Sequence, residues 1–214
     1  FIDTIAQPGE GRYGMKDMAW DGDWIWGVVD DTVYGINLEG EVMASFDSPY
    51  NPASPIAWDS DRNVLWICGT VTNGILAYDR EGNEIEELAI DQENYRIYGL
   101  SYFSDDPDGA PLYILHRERE ENRQTLDKYN FDSDEKSHVT YLYPEEGGTP
   151  QGAFITNKYD VYSWVFMSIS NLAPRLGGDR VDIHQIEGRM DWFQLDLVTE
   201  EGRMEANDGV LQTG

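Results

Sequence analysis

The sequence predicts an all-β fold, a β-propeller of four or five blades in which each blade is a four-stranded antiparallel meander. Two stretches repeat the same order of a Trp-Asp turn, a short apolar run and a Glu-Gly turn, at an interval of roughly 40 residues. The predicted strands are short and rich in Val, Ile, Tyr and Trp, and Gly, Asp and Asn separate them. A β-sandwich also has many short strands, but it gives no reason for one strand order to recur, so the propeller is favoured.

The repeat divides a single domain into four units, residues 13–48, 54–91, 97–143 and 151–207. The first unit reads "MKDMAW", "WIWGVV", "TVYGINL" and "VMASFD" for strands A to D, and the second reads "PIAW", "VLWICG", "GILAYD" and "EIEELAI". Residues 1–7, "FIDTIAQ", resemble an isolated strand D that either closes the ring or is left from a missing blade. Residues 171–190 are predicted to form one long loop between strands B and C of the fourth unit.

The charge balance is strongly acidic, with 41 acidic and 15 basic residues and a net charge of −26. Such a surface repels nucleic acid and anionic membranes. No apolar run approaches the 18 or so residues that a membrane span needs. The acidity is compatible with a highly solvated surface, with adaptation to high salt or with calcium binding. Cys68 is the single cysteine, so no internal disulfide forms, and its apolar neighbours predict a buried residue.

A four-stranded meander places its A–B and C–D turns on one face of the disc, which we call the first face. The D–A and B–C connections lie on the opposite, second face. Tight turns rich in Asp and Glu fall on the first face, whereas arginines and tyrosines concentrate on the second face. Arg and Tyr are common in binding hot spots, which predicts a partner-binding surface there. The alternative is that these arginines only pair with neighbouring carboxylates. The predicted partner-binding residues are Arg12, Tyr13, Tyr50, Tyr95, Arg96, Arg117, Arg119, Arg180 and His184.

The stretch "DSDRN" begins like a calcium-binding loop, with Asp59, Asp61 and Asn63 at alternate positions. Val64 and Thr70 stand where an EF-hand requires Gly and Glu, so this is not an EF-hand. Asp and Asn are also common in turns for purely structural reasons. The cofactor prediction is therefore none, or calcium at these three residues.

Catalytic signals are weak. His116 and His184 share the second face with Asp182, which leaves an acid–base site at the mouth of the central channel conceivable. No nucleophile elbow, phosphate-binding loop or zinc-protease motif occurs. Trp20 and Trp58 match in the repeat, as do Trp26 and Trp66, and this equivalence predicts packing between blades rather than sugar stacking.

The stretch "MAWDGDWIWGVVDDTVYGINLEGEV" resembles the repeats of the NHL, streptogramin-lyase-like and SMP-30-like propellers. It is similar in particular to propeller modules of secreted multidomain bacterial proteins. The Asn- and Trp-containing motif of glutaminyl-cyclase propellers is absent, and the histidine–glutamate pattern of streptogramin lyases is not clear, so neither activity is transferred. The resemblance implies a fold and no activity.

Together these observations predict a non-enzymatic, secreted or cell-surface module that binds a protein or glycan partner and is joined to other domains of the same polypeptide. One alternative is a small-molecule lyase or hydrolase with its site at the central channel mouth. Another is a structural spacer of a larger surface protein, with or without calcium.

Overall fold

The computed structural model describes residues 4–10, 14–50, 53–69, 74–90, 95–118, 123–143, 148–159, 163–172, 178–188, 198–199 and 202–203. These residues form strands and turns, and they contain no helix that could cross a membrane. The strands, in chain order, are β1 (Met18–Trp20), β2 (Ile25–Val29), β3 (Thr32–Ile36), β4 (Val42–Asp47), β5 (Ala53–Asp59), β6 (Val64–Gly69), β7 (Gly74–Tyr78), β8 (Glu84–Ala89), β9 (Tyr95–Tyr102), β10 (Leu112–Glu118), β11 (Gln124–Asn130), β12 (Glu135–Leu142), β13 (Thr149–Thr156), β14 (Ser163–Asn171), β15 (Asp179–Gly188), β16 (Val198–Thr199) and β17 (Gly202–Arg203).

The sheets are arranged as a four-bladed β-propeller, which confirms the predicted fold class. Blades 1, 2 and 3 are antiparallel meanders in the orders β1-β2-β3-β4, β5-β6-β7-β8 and β9-β10-β11-β12. In the described part of the chain, blade 4 is the sheet β13-β14-β15, and β16 pairs with β17 in a separate hairpin. The A strands of blades 2, 3 and 4 (β5, β9 and β13) lie side by side, as expected for strands around a propeller axis.

The repeated Glu-Gly turns have a common local cause. Gly40 and Gly82 follow strand C in blades 1 and 2, and both have left-handed backbones with φ of 85° and 84°. Glycine adopts this conformation without steric cost. Asn37 and Asp79 accept backbone hydrogen bonds from inside the same turns, as short polar side chains in turns often do.

The hydrophobic core lies between the blades. One buried cluster joins blades 1 and 2 and contains Trp26, while a second joins blades 2 and 3 and contains Trp66 and Cys68. A third cluster, which contains Phe166, joins blades 3 and 4. The predicted packing of Trp26 and Trp66 and the predicted burial of Cys68 are therefore confirmed. The same prediction was wrong for Trp20, whose side chain is 47% exposed, because it lies on the face of β1 that does not contact blade 2.

A single carboxylate connects the four blades at the axis. Asp17 immediately precedes β1 and is buried. Its Oδ2 accepts hydrogen bonds from the amides of Ile56 (3.1 Å) in blade 2 and Leu100 (3.0 Å) in blade 3. Its Oδ1 accepts one from Ala153 (3.0 Å) in blade 4. The carboxyl group of Asp17, a residue of blade 1, thus connects blades 2, 3 and 4 at the axis.

Two segments differ from the predictions. Residues 4–10 form no strand and lie along blade 1, where a Cβ built on Gly9 would be 3.0 Å from the side chain of Val29. Residues 179–188, predicted to belong to the long loop, form β15 and pair with β14 along its length. The alternation of polar and apolar residues in "RVDIH" has the two-residue period of a strand, and this signal was overlooked.

Candidate functional site

The aspartate in the first-face turn after strand A has a structural role in blade 1. Asp21 follows strand A, and its Oδ1 accepts hydrogen bonds from the amides of Asp23 (2.8 Å) and Trp24 (2.7 Å). Its Oδ2 accepts the indole N–H of Trp26 at 2.7 Å. Arg80, which comes from blade 2, pairs with the same carboxylate at 2.9 Å. The aspartate therefore fixes its turn, the core tryptophan and the neighbouring blade together.

Blade 2 repeats this arrangement at the turn predicted to bind calcium. The Oδ1 of Asp59 accepts the amides of Asp61 (3.1 Å) and Arg62 (3.0 Å), and its Oδ2 accepts Arg62 Nε (2.8 Å) and Trp66 Nε1 (3.2 Å). Asn63 supplies a left-handed turn residue with φ of 57°. The carboxylate of Asp59 is fully buried among protein donors.

The calcium hypothesis gains no support from this geometry. A cation would have to replace four donors around Asp59, and the carboxylate of Asp61 accepts a hydrogen bond from Tyr102 Oη at 2.8 Å. The described residues contain no group of three or more His, Cys, Asp or Glu side chains placed to hold a metal ion. Protein donors already satisfy the carboxylate in this turn, and calcium binding stays a prediction.

Blade 3 uses a tyrosine and a lysine in the equivalent places. Asp106 accepts a hydrogen bond from Tyr113 Oη at 2.5 Å, and Lys128 Nζ lies 3.0 Å from Asp106 and 2.6 Å from Asp108. Burial alone would lower the pKa of Lys128, but its hydrogen bonds to the two carboxylates raise it. Arg62, Arg80 and Lys128 on the first face are therefore engaged in holding the fold.

Two arginines of the second face, unlike the basic residues of the first face, are not paired with carboxylates in the described part of the chain. Arg96, near the start of β9, is directly opposite Arg117, near the end of β10. Cross-strand partners place their side chains on the same face of a sheet, with Cβ atoms roughly 5 Å apart. Arg96 is exposed and Arg117 is partly buried. Within the part of the chain that the structure describes, neither guanidinium has an ion-pair partner.

The structure brings together only part of the predicted binding set. Tyr50 is partly buried, donates a hydrogen bond to the carbonyl of Gly74 (3.3 Å) and packs against the clusters on both sides of blade 2. Tyr50 therefore supports the second face from within, and little of its side chain is available to contact a partner. Arg12, Tyr13 and Arg119 lie outside the described residues, and for Tyr95 only its place in β9 is described.

Arg180 and His184 were predicted on a loop, but both lie in β15. Arg180 forms an ion pair with Asp182: its Nε lies 2.8 Å from Oδ1, and its Nη2 donates a hydrogen bond to Oδ2 at 3.1 Å. This matches the alternative that some of these arginines pair with neighbouring acids. Burial lowers the pKa of His184, and the charge of Asp182 opposes that shift.

Sequence reasoning missed a buried polar network in blade 3. His116 Nε2 lies 2.8 Å from Asp127 Oδ2, and the same carboxylate contacts Lys136 Nζ (2.7 Å) and His138 Nδ1 (3.2 Å). Burial alone would raise the pKa of Asp127, but hydrogen bonds from His116 and Lys136 lower it well below the usual range. The side chains of His116 and Asp127 are only 4% and 6% exposed, so the pair joins strands and is not presented to a substrate.

Comparison with known proteins supports the fold alone. No protein-family model and no curated protein matches this chain. Among solved structures, hydrazine synthase of Kuenenia stuttgartiensis matches with a TM-score of 0.51 and 12% identity, over 88% of this chain and 67% of that one. A chain of a nidogen/laminin complex matches with a TM-score of 0.51 and 13% identity, over 72% of this chain and 56% of that one. The narrower resemblance to the NHL and SMP-30-like group stays a prediction.

Proposed function

We propose that this chain is a non-enzymatic β-propeller module that binds anionic groups of a protein or glycan partner through Arg96, Arg117 and the adjoining loops of the second face. We further propose that it acts as a secreted or cell-surface part of a larger polypeptide. The observation that carries the binding proposal is the cross-strand pair of arginines, which has no acidic partner in the described residues.

Two guanidinium groups placed directly opposite each other repel, so such a pair costs stability unless a ligand or a counter-ion neutralises it. Guanidinium is planar and binds carboxylate, sulfate or phosphate groups through two parallel hydrogen bonds. A ligand with two anionic groups a few ångströms apart would satisfy both side chains. Acidic peptides and acidic or sulfated glycans have this chemistry.

The net charge of −26 does not prevent such binding. At physiological ionic strength the Debye length is about 8 Å, so distant carboxylates are largely screened from a ligand at the second face. The acidic turns of the first face lie at the opposite ends of the strands. A short-range contact with Arg96 and Arg117 can therefore outweigh the long-range repulsion.

Calorimetric titration with defined probes tests this proposal. The probes are a sulfated oligosaccharide, a uronate-containing oligosaccharide and a polyglutamate peptide, each in about 150 mM NaCl. We expect at least one probe to bind, and Arg96→Glu with Arg117→Glu to abolish that binding. Lys158→Glu is the matched control, because it reverses an exposed charge in the first-face turn after β13 and should leave the affinity unchanged. Equal losses in both variants, or no binding to any probe, would refute the proposal.

A further inference from the structure

The propeller axis carries a set of backbone donors that converge on one point. Ile56, Leu100 and Ala153 occupy equivalent positions in the A strands of blades 2, 3 and 4, and Met18 occupies that position in blade 1. The first three donate hydrogen bonds of 3.0–3.1 Å to the carboxyl group of Asp17, and the adjacent Met18 amide lowers the pKa of that group. Blades 2, 3 and 4 thus direct equivalent backbone amides at one carboxyl group, which blade 1 supplies.

The chemistry of this point selects the kind of group it accepts. Amide N–H groups are donors only, so converging amides stabilise an oxygen acceptor or an anion and repel a cation. A carboxyl group fits this point, because its two oxygens have enough lone pairs to accept all three hydrogen bonds. A metal ion on the axis at this level is therefore disfavoured.

The space at the axis excludes a side chain at two of the positions equivalent to Asp17. The residues equivalent to Asp17 in blades 2, 3 and 4 are Pro55, Gly99 and Gly152. A Cβ on Gly152 would lie 2.9 Å from Asp17 Oδ1 and 2.7 Å from the carbonyl oxygen of Lys16. A Cβ on Gly99 would lie 2.6 Å from the Cβ of Ala153. The neighbouring blades leave room for a single carboxyl group.

We propose that the A-strand amides of Ile56, Leu100 and Ala153 form a carboxyl-binding site on the propeller axis, that Asp17 is its built-in ligand, and that a small free monocarboxylate takes the place of the Asp17 side chain when that side chain is removed. The site is independent of the arginine pair of the second face. Occupancy by Asp17 closes the ring, because one residue of blade 1 bonds to each of the other three blades.

Rescue of Asp17→Ala by formate tests this proposal. We expect the variant to melt well below the wild type, and formate or acetate to raise its melting temperature in a saturable way, most strongly at acidic pH, where more of the added compound is the neutral acid that a buried site favours. Sodium chloride of equal ionic strength and the bulky carboxylate pivalate should not do so. Ser101→Ala is the matched control, because it removes another acceptor between blades 3 and 4, the Ser101 Oγ that receives the Ile155 amide at 2.9 Å. Its melting temperature, like that of the wild type, should respond to formate no more than to chloride.

Equal responses to formate and chloride in Asp17→Ala would overturn the proposal, as would rescue of Ser101→Ala by formate. If Asp17→Ala does not fold, refolding it in formate and in chloride gives the same contrast. The wild type supplies a second measurement by NMR. The amide protons of Ile56, Leu100 and Ala153 should shift together, with one midpoint, as the Asp17 carboxyl titrates, and independent midpoints would contradict a shared site.

Discussion

The buried position of Asp17 makes the stability of the fold depend on pH in an unusual direction. Burial raises the pKa of this carboxyl from 3.8 to about 8, although the amides of Leu100, Ala153, Ile56 and Met18 oppose the shift. Between these values the unfolded chain has lost the proton and the folded chain retains it. The free energy of unfolding attributable to Asp17 therefore falls as pH rises from about 4 to about 8. It is constant outside that window.

The magnitude follows from the shift. One pKa unit corresponds to about 1.4 kcal/mol, so a displacement of this size amounts to a loss on the order of 5 kcal/mol between pH 4 and pH 8. This is comparable to the whole stability of many domains. Other carboxylates titrate in the same range, and a reference protein that differs only in having no titratable group at position 17 is needed to isolate this contribution.

Urea unfolding of the wild type and of Asp17→Asn at a series of pH values provides that comparison. The difference in unfolding free energy between the two proteins should decline through the window and level off above pH 8. Carbon-13 NMR of the Asp17 carboxyl gives the same midpoint directly in the wild type, whatever the stability of the variant. A difference that stays constant or grows with pH would refute the reasoning, since it would mean that the amide donors outweigh burial.

The remaining predictions concern packing and metal removal. Gly99→Ala should destabilise the fold by about 1–3 kcal/mol, because the added methyl group overlaps the A strand of blade 4, and an unchanged urea midpoint would contradict this. Trp66→Phe should cost about 1–3 kcal/mol, because the buried carboxylate of Asp59 loses a donor, whereas Trp20→Phe at an exposed position should change stability by less than about 0.5 kcal/mol. EDTA or millimolar calcium should leave the melting temperature unchanged, because protein donors already surround Asp59, and stabilisation by calcium would contradict the structural role of that turn.

The fold was predictable where the sequence repeats. Short-range rules fix the turns after strands A and C, so the Trp-Asp and Glu-Gly signals reappear in each clear unit and indicate a blade. The structural role of Asp21 and Asp59 could also have been predicted. Each aspartate precedes a strand-B tryptophan whose indole N–H donates a hydrogen bond to its carboxylate. An aspartate that stabilises a turn and an aspartate that binds a metal ion look alike in the sequence. Only the hydrogen-bond donors around the carboxylate distinguish them.

The axis and the arginine pair were not predictable in the same way. Asp17 has no acidic counterpart in the other units, where Pro55, Gly99 and Gly152 stand, so the repeat gives no sign of it. Its one signal was an acidic residue inside the predicted strand A, "MKDMAW". The opposition of Arg96 and Arg117 depends on a strand register that includes an irregularity after Leu115, which shifts the pairing by one residue and cannot be counted from the sequence.

Side-chain NMR of the arginines tests the central claim most directly, that Arg96 and Arg117 form the binding site for an anionic partner. The Nε–Hε signals of a labelled sample can be followed during titration with whichever probe binds by calorimetry. The account predicts large, saturable shifts for Arg96 and Arg117 and unchanged signals for Arg62 and Arg80, which are already engaged with Asp59 and Asp21. Uniform small shifts at every arginine, or shifts confined to others, would contradict it.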